Sequence, residues 1–183
     1  MVRAFWKRAF PILTHPAIWQ ALFISYWTRG HVGWLLASWS LLVGLTGSLY
    51  YLSLNAPKYL DILTLFGNAR RFLIFWQLLL LFGLRAATAE PLIGYWLNFF
   101  IWHTAIAWLM HWRWPFSLHA QGWAGLATFF LWYGRSYPLM AGLCTALWGL
   151  VSYQRAQTRA HPWSEIFLGS GIGVAASVTY ILM

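Results

Sequence analysis

Apolar positions gather into six long runs along this chain: Trp34 to Leu54, Phe72 to Leu84 with its flanks, Leu92 to Met110, His119 to Tyr133, Tyr137 to about Tyr153, and Glu165 to Met183. None alternates with period two and no barrel-like turn pattern appears, so each run predicts a helix. The breaks between them carry the polar and turn-forming residues. Asn55 to Arg71 mixes Pro57, Lys58, Asp61, Gly67 and two arginines, which predicts an amphipathic segment. Arg85 to Glu90 and Pro91 end the second run, His111 to Leu118 is an aromatic loop, Gly134-Arg135 closes the fourth, and the fifth runs on towards Arg159.

Residues 1–31 have a different character. Arg3, Lys7 and Arg8 are interleaved with Trp6, Trp19 and Trp27, and Pro11 and Pro16 interrupt the pattern. A compact apolar stretch followed by a small-residue cleavage site is missing, so this segment reads as a retained interfacial helix and not as a removable signal peptide. The expected organisation is an interfacial segment over 1–31 followed by one helical domain over 32–183. No internal repeat or flexible linker divides that domain.

Composition turns these helices into membrane spans. The chain is 61% hydrophobic, 20% aromatic and 8% charged, outside the range of soluble globular domains. At roughly 20 residues per span, about six crossings fit. Fifteen Trp and nine Tyr suit the two interfacial belts, where a ring is half wet and half dry. The fold class expected is therefore all-α: an integral membrane six-helix bundle with an amphipathic N-terminal segment.

The formal charge of +9 raises nucleic-acid binding, but the basic residues are scattered and form no soluble basic face. A membrane surface or a phosphate is the better partner, and no nucleic acid is expected. Cys144 is the single cysteine, which excludes a disulfide framework and a cysteine-based metal site.

Six crossings place the 55–71 segment, the 111–118 loop and the 155–164 loop on one face. The N-terminus, the 85–90 turn and Gly134-Arg135 fall on the other. Lys58, Arg70, Arg71, Arg113, Arg155 and Arg159 lie on the first face, and Arg3, Lys7, Arg8 and Arg29 on the second. Several of the first group are candidate phosphate ligands, so the N-terminal cations decide and set the N-terminus in the cytoplasm. The expected location is the bacterial inner (plasma) membrane, with the 155–164 loop on its external face.

That loop holds the candidate chemistry. Arg155, His161 and Glu165 stand at R-x5-H-x3-E spacing between two apolar runs, and Ser117-Leu-His119 heads an earlier one. Ionisable groups at a membrane edge are costly, so a cluster of them marks a functional site. Arg155 can hold phosphate oxygens in a bidentate grip. His161 can attack phosphorus while Glu165 fixes its tautomer, and His119 can protonate the leaving oxygen and later deprotonate water. The scheme needs no metal and no cofactor. Taken singly, each residue has an ordinary reading as an interfacial His or a cation at a span end.

These residues resemble the signatures of the type 2 phosphatidic acid phosphatase superfamily: K-x6-RP, then PSGH, then SR-x5-H-x3-D. The third reads here Gln154-Arg155-x5-His161-x3-Glu165, with Gln for Ser and Glu for Asp. The second reads Phe116-Ser117-Leu118-His119, with Ser and His in place. The first is absent: Arg113 precedes Trp114, and Pro115 follows one place late. The resemblance implies His161 as nucleophile, His119 as acid and base, Glu165 as orienter, and Arg155 and Ser117 as phosphate contacts, with Arg113 as a replacement cation. It implies a hydrolase or phosphotransferase acting on a lipid phosphate or diphosphate, in contact with membrane lipids.

Two alternatives remain open. Loss of two cations from a phosphate cradle weakens charge compensation, which suits a degenerate relative that binds a lipid or serves as a subunit of a membrane complex. His103, His111 and His119 recur every eight residues and raise haem binding, but successive members sit about 80° apart on a helix and form no ligand stripe. Glu90 is expected to pair with Arg85, and Asp61 with Lys58 or water. Gly169, Gly171 and Gly173, like Gly122 and Gly125, are expected to permit close helix packing inside the monomer or in a homodimer.

Overall fold

The computed structural model describes residues 69–134 and 136–183, together with Ile18. The interfacial segment over 1–31, the first expected span and most of the 55–71 segment, Lys58 and Asp61 included, lie outside the described residues. Within them every regular element is a helix: α1 (Ala69–Ala86), α2 (Pro91–His111), α3 (Leu118–Trp132), α4 (Pro138–Gln157) and α5 (Trp163–Leu182). These residues divide into two compact units, with the boundary between Trp112 and Arg113.

In the first unit α1 packs against α2. The helix α1 starts at Ala69, so Arg70 and Arg71 belong to its first turn and not to the preceding segment. A cation there opposes the helix dipole. Arg71 meets a compensating partner, its guanidinium carbon lying 4.8 Å from the ring centroid of Trp112. Pro91 opens α2, where its missing N–H leaves no helical bond unmade.

The expected Arg85–Glu90 pair does not form. Arg85 Nε instead donates to Asn98 Oδ1 at 3.1 Å, and Arg85 Nη1 to the Thr88 carbonyl at 3.4 Å. Gly94 makes room for this: a Cβ there would lie 3.2 Å from the guanidinium carbon. The Glu90 backbone N–H is held by Thr88 Oγ1 at 3.3 Å. His103 is buried on α2 against Phe99, their ring centroids 4.4 Å apart.

In the second unit α3 lies against both α5 and α4. Close packing of α3 on α5 comes from small residues spaced four apart on α5: Gly169, Gly173 and Ser177. Residues i and i+4 share a helix face, so the three form one flat seam. A Cβ on Gly169 would lie 2.5 Å from the Ser117 carbonyl oxygen, and one on Gly173 would strike the Gln121 carbonyl. Ser177 completes the seam by donating from Oγ to the Gly125 carbonyl at 2.7 Å. Gly171 points into open space and takes no part. Trp148 Nε1 donates to Ser170 Oγ at 2.9 Å and ties α4 to α5. Cys144 is buried on α4.

One described helix, α5, is long and apolar enough to cross a membrane. Its 20 residues span about 30 Å at the α-helical rise, the thickness of a bilayer's hydrocarbon core. The exposed side chains of α5 include Trp163, Phe167, Leu168, Val174 and Leu182. Trp163 and Phe167 stack with centroids 5.6 Å apart.

Candidate active site

The second unit gathers five of the six sequence-derived candidates at one end of its helices. Ser117 is the N-cap of α3: its Oγ accepts from the Ala120 N–H at 3.4 Å. Its own backbone N–H donates to the Glu165 carbonyl at 3.1 Å. This bond stands one turn from the Gly169 contact, so the head of α3 and the first turn of α5 are fixed to each other by backbone alone. Ser117 is fully buried and serves first as a cap.

His161 precedes α5, and its Nδ1 lies 2.6 Å from Glu165 Oε2. An ionised carboxylate only accepts hydrogen bonds, so Nδ1 carries the proton and the lone pair of the neutral ring sits on Nε2. The i, i+4 relation brings the two side chains together, because Glu165 lies in the first turn of α5 and His161 just ahead of it. A carboxylate in that turn is also favoured by the helix dipole. His161 is 9% exposed and Glu165 25%, so solvent reaches the pair mainly through the carboxylate.

Arg155 lies in the last turn of α4, where a cation complements the dipole. Its Nη2 is 2.8 Å from His119 Nδ1 and 3.1 Å from His119 Nε2. Cε1 lies between those two ring atoms, so one guanidinium nitrogen cannot approach both in the imidazole plane. It lies over the ring, an arrangement in which guanidinium and imidazole share a face. His119 is buried in the first turn of α3, two residues after the cap.

The turn from α4 to α5 carries Arg155 and His161 at its two ends. The Ala160 N–H donates to the Arg155 carbonyl at 3.0 Å, and the Arg159 N–H to the Ala156 carbonyl at 3.0 Å. This pair of bonds is a Schellman motif, which needs a left-handed residue at its corner. That residue is Arg159, with φ 55°. The His161 N–H reaches back to the same Arg155 carbonyl at 3.4 Å, which holds the His161 backbone over the end of α4.

Arg113 is not drawn into this cluster. It is exposed ahead of α3 and makes no hydrogen bond or ion pair with the described residues. Gln154, which stands where the resembled signature has serine, is buried on α4. No group of three or more His, Cys, Asp or Glu among the described residues could hold a metal ion. Sequence reasoning did not anticipate the Arg155–His119 contact or the left-handed Arg159. The first needs tertiary packing, and the second has no glycine or asparagine to announce it. The seam beneath the site was signalled by the four-residue spacing of Gly169, Gly173 and Ser177. Comparison with protein families, with curated proteins and with solved structures finds no match.

Proposed function

We propose that this chain is an integral membrane phosphatase or phosphotransferase acting on a lipid phosphate or diphosphate through a phosphohistidine. The observation that carries the reading is the His161–Glu165 pair at 2.6 Å, which holds the proton on Nδ1 and so sets the lone pair of the neutral ring on Nε2, beside a second histidine already touched by an arginine. A nucleophile, its orienter, an acid–base group and a phosphate-binding cation then belong to one cluster.

In the first step His161 Nε2 attacks phosphorus and the phosphorus–oxygen bond to the leaving group breaks. Protonated His119 gives its proton to the departing oxygen. Glu165 holds the Nδ1 proton and balances the positive charge that develops on the ring. In the second step water attacks the phosphohistidine, passes a proton to His119, and the phosphorus–nitrogen bond electrons return to Nε2. Arg155 transfers its N–H donors from the face of His119 to the phosphate oxygens when substrate enters, and stabilises the transferring group. A lipid acceptor in place of water makes the same chemistry a phosphotransfer.

The six-helix arrangement, the inner membrane and the external face belong to this proposal. Support for the membrane comes from α5 and from the aromatic, charge-poor composition. The kinship with the type 2 phosphatidic acid phosphatases rests on the two signatures alone.

The test is phosphate release by the purified protein and by its His161→Ala variant, from phosphatidic acid, phosphatidylglycerol phosphate and undecaprenyl diphosphate. Release that disappears in the variant, with its helical content retained, supports the proposal. Release that persists removes His161 from the mechanism. No release from any of the three favours the second reading, a lipid-phosphate-binding subunit. The exposed Arg113 supports that reading, since among the described residues it leaves Arg155 as the cation in the cluster.

A further inference from the structure

The charge of the cluster is close to balanced before any ligand arrives. Arg155 brings one positive charge, and Glu165 one negative charge already engaged by His161. A phosphomonoester carries about −1.5 to −2 charges at neutral pH, so one guanidinium leaves it undercompensated. Arg159 is the next cation along the chain, in the turn whose ends are Arg155 and His161, and it is exposed.

Its backbone makes the choice of residue informative. The corner of a Schellman turn is a position where glycine has no steric penalty and any residue with a Cβ does. Arg159 adopts φ 55° there. Among the described residues its side chain makes no hydrogen bond or ion pair that would offset the strain. A residue held at a conformational cost beside a candidate site points to use of its side chain by something that binds there.

We propose that Arg159 is a specificity-determining cation of the site, standing at the left-handed corner between Arg155 and His161 so that its guanidinium meets the phosphate of an anionic lipid headgroup. The nature of the ligand rests on the function proposed above; the strain and the exposure do not. Arg159 then supplies from the α4–α5 turn a second positive charge, which the described residues of the cluster lack, and it favours monoester and diphosphate headgroups over zwitterionic ones.

The experiment measures two quantities on wild type, Arg159→Gly and Arg159→Ala: the unfolding midpoint, and binding of dihexanoyl phosphatidic acid and of inorganic phosphate by calorimetry in neutral detergent. Glycine relieves the corner, so Arg159→Gly is expected to unfold about 2–4 °C above Arg159→Ala. Both variants are expected to bind phosphatidic acid about five-fold more weakly, as befits an exposed charge contact. That difference shrinks as salt rises, which a purely structural role of the turn would not produce.

Weakening for both probes assigns the contact to phosphate itself, and weakening for phosphatidic acid alone assigns it to the glycerophosphate headgroup. Wild-type affinity in both variants overturns the proposal. So does an Arg159→Gly midpoint below that of Arg159→Ala, and so does the absence of saturable binding of either probe to wild type. Binding that depends on Arg159 without His161-dependent phosphate release would retire the phosphatase reading and leave this one standing.

Discussion

Substituting the three glycines of α5 one at a time separates the packing that builds the site from the helix that carries it. In Gly169→Ala the new Cβ would lie 2.5 Å from the Ser117 carbonyl oxygen, against 3.4 Å or more for ordinary contact. The obstacle is backbone at the head of α3, so no rotamer can relieve it, and the helices must part by about 0.9 Å at that point. Overpacking of this kind costs about 1–3 kcal/mol, a fall of about 2–12 °C in Tm for a chain of this size. The displaced atoms include the Ser117 N–H to Glu165 carbonyl bond, so Glu165 and His161 move relative to His119. A shift near 1 Å between reacting groups lowers turnover by about 10²-fold. Gly173→Ala is expected to do the same or worse, because its Cβ meets the Gln121 carbonyl more closely still. Gly171→Ala meets nothing, and the better helix propensity of alanine is worth up to about 1 kcal/mol. Tryptophan fluorescence during thermal unfolding reads the first effect, and phosphate release the second. Wild-type stability in Gly169→Ala, or equal damage from Gly171→Ala, would refute the seam.

Four further predictions follow from single contacts. Glu165→Gln frees the tautomer of His161, and on the proposed mechanism kcat is expected to fall about 10²–10⁴-fold with little change in KM, measured on whichever of the three lipid phosphates yields phosphate release. Ser177→Ala removes a buried bond to the Gly125 carbonyl, which keeps its place in the backbone ladder of α3, so the expected loss is about 0.5–1.5 kcal/mol, read by chemical denaturation. Trp148→Phe takes away the donor to Ser170 Oγ and is expected to cost about 1 kcal/mol in the same assay. Glu90→Gln is expected to change stability by less than about 0.5 kcal/mol, because Arg85 is held by Asn98 and Thr88 and not by Glu90; a large loss would restore the Arg85–Glu90 pair.

Much of the described architecture was legible in the chain. Each of the apolar runs from Phe72 onward corresponds to a helix, because long apolar periods bounded by proline and polar loops leave few other structures available. Their ends were less legible. The helix α1 begins before Phe72, since a cation–π contact to Trp112, distant in sequence, supports Arg71 in the first turn. For the site, the His161–Glu165 pair follows from i, i+4 spacing alone. The meeting of Arg155 with His119 depends on how α3 and α4 pack, and no local pattern encodes that. The Arg85–Glu90 expectation failed for a related reason: adjacency in a turn proved weaker than the reach of Arg85 across Gly94 to Asn98 on α2. The left-handed Arg159 was invisible because its sequence context, Gln-Thr-Arg-Ala-His, holds none of the residues that favour that conformation.

The central claim is that Nε2 of His161 carries the phosphoryl group. Its most direct test is rapid acid-free quenching of the His119→Ala variant with ³²P-phosphatidic acid, phosphatidylglycerol phosphate or undecaprenyl diphosphate, followed by peptide mapping. His119 is also the acid of the first step, so the informative substrate is undecaprenyl diphosphate, whose leaving group departs as a phosphate with little need of a proton; there, removing the base that activates water should let the intermediate accumulate. The expected result is base-stable, acid-labile label on the peptide containing His161, absent when His161 is also replaced. Turnover without such label, label on another residue, or no phosphoryl transfer from any of the three lipids would contradict it.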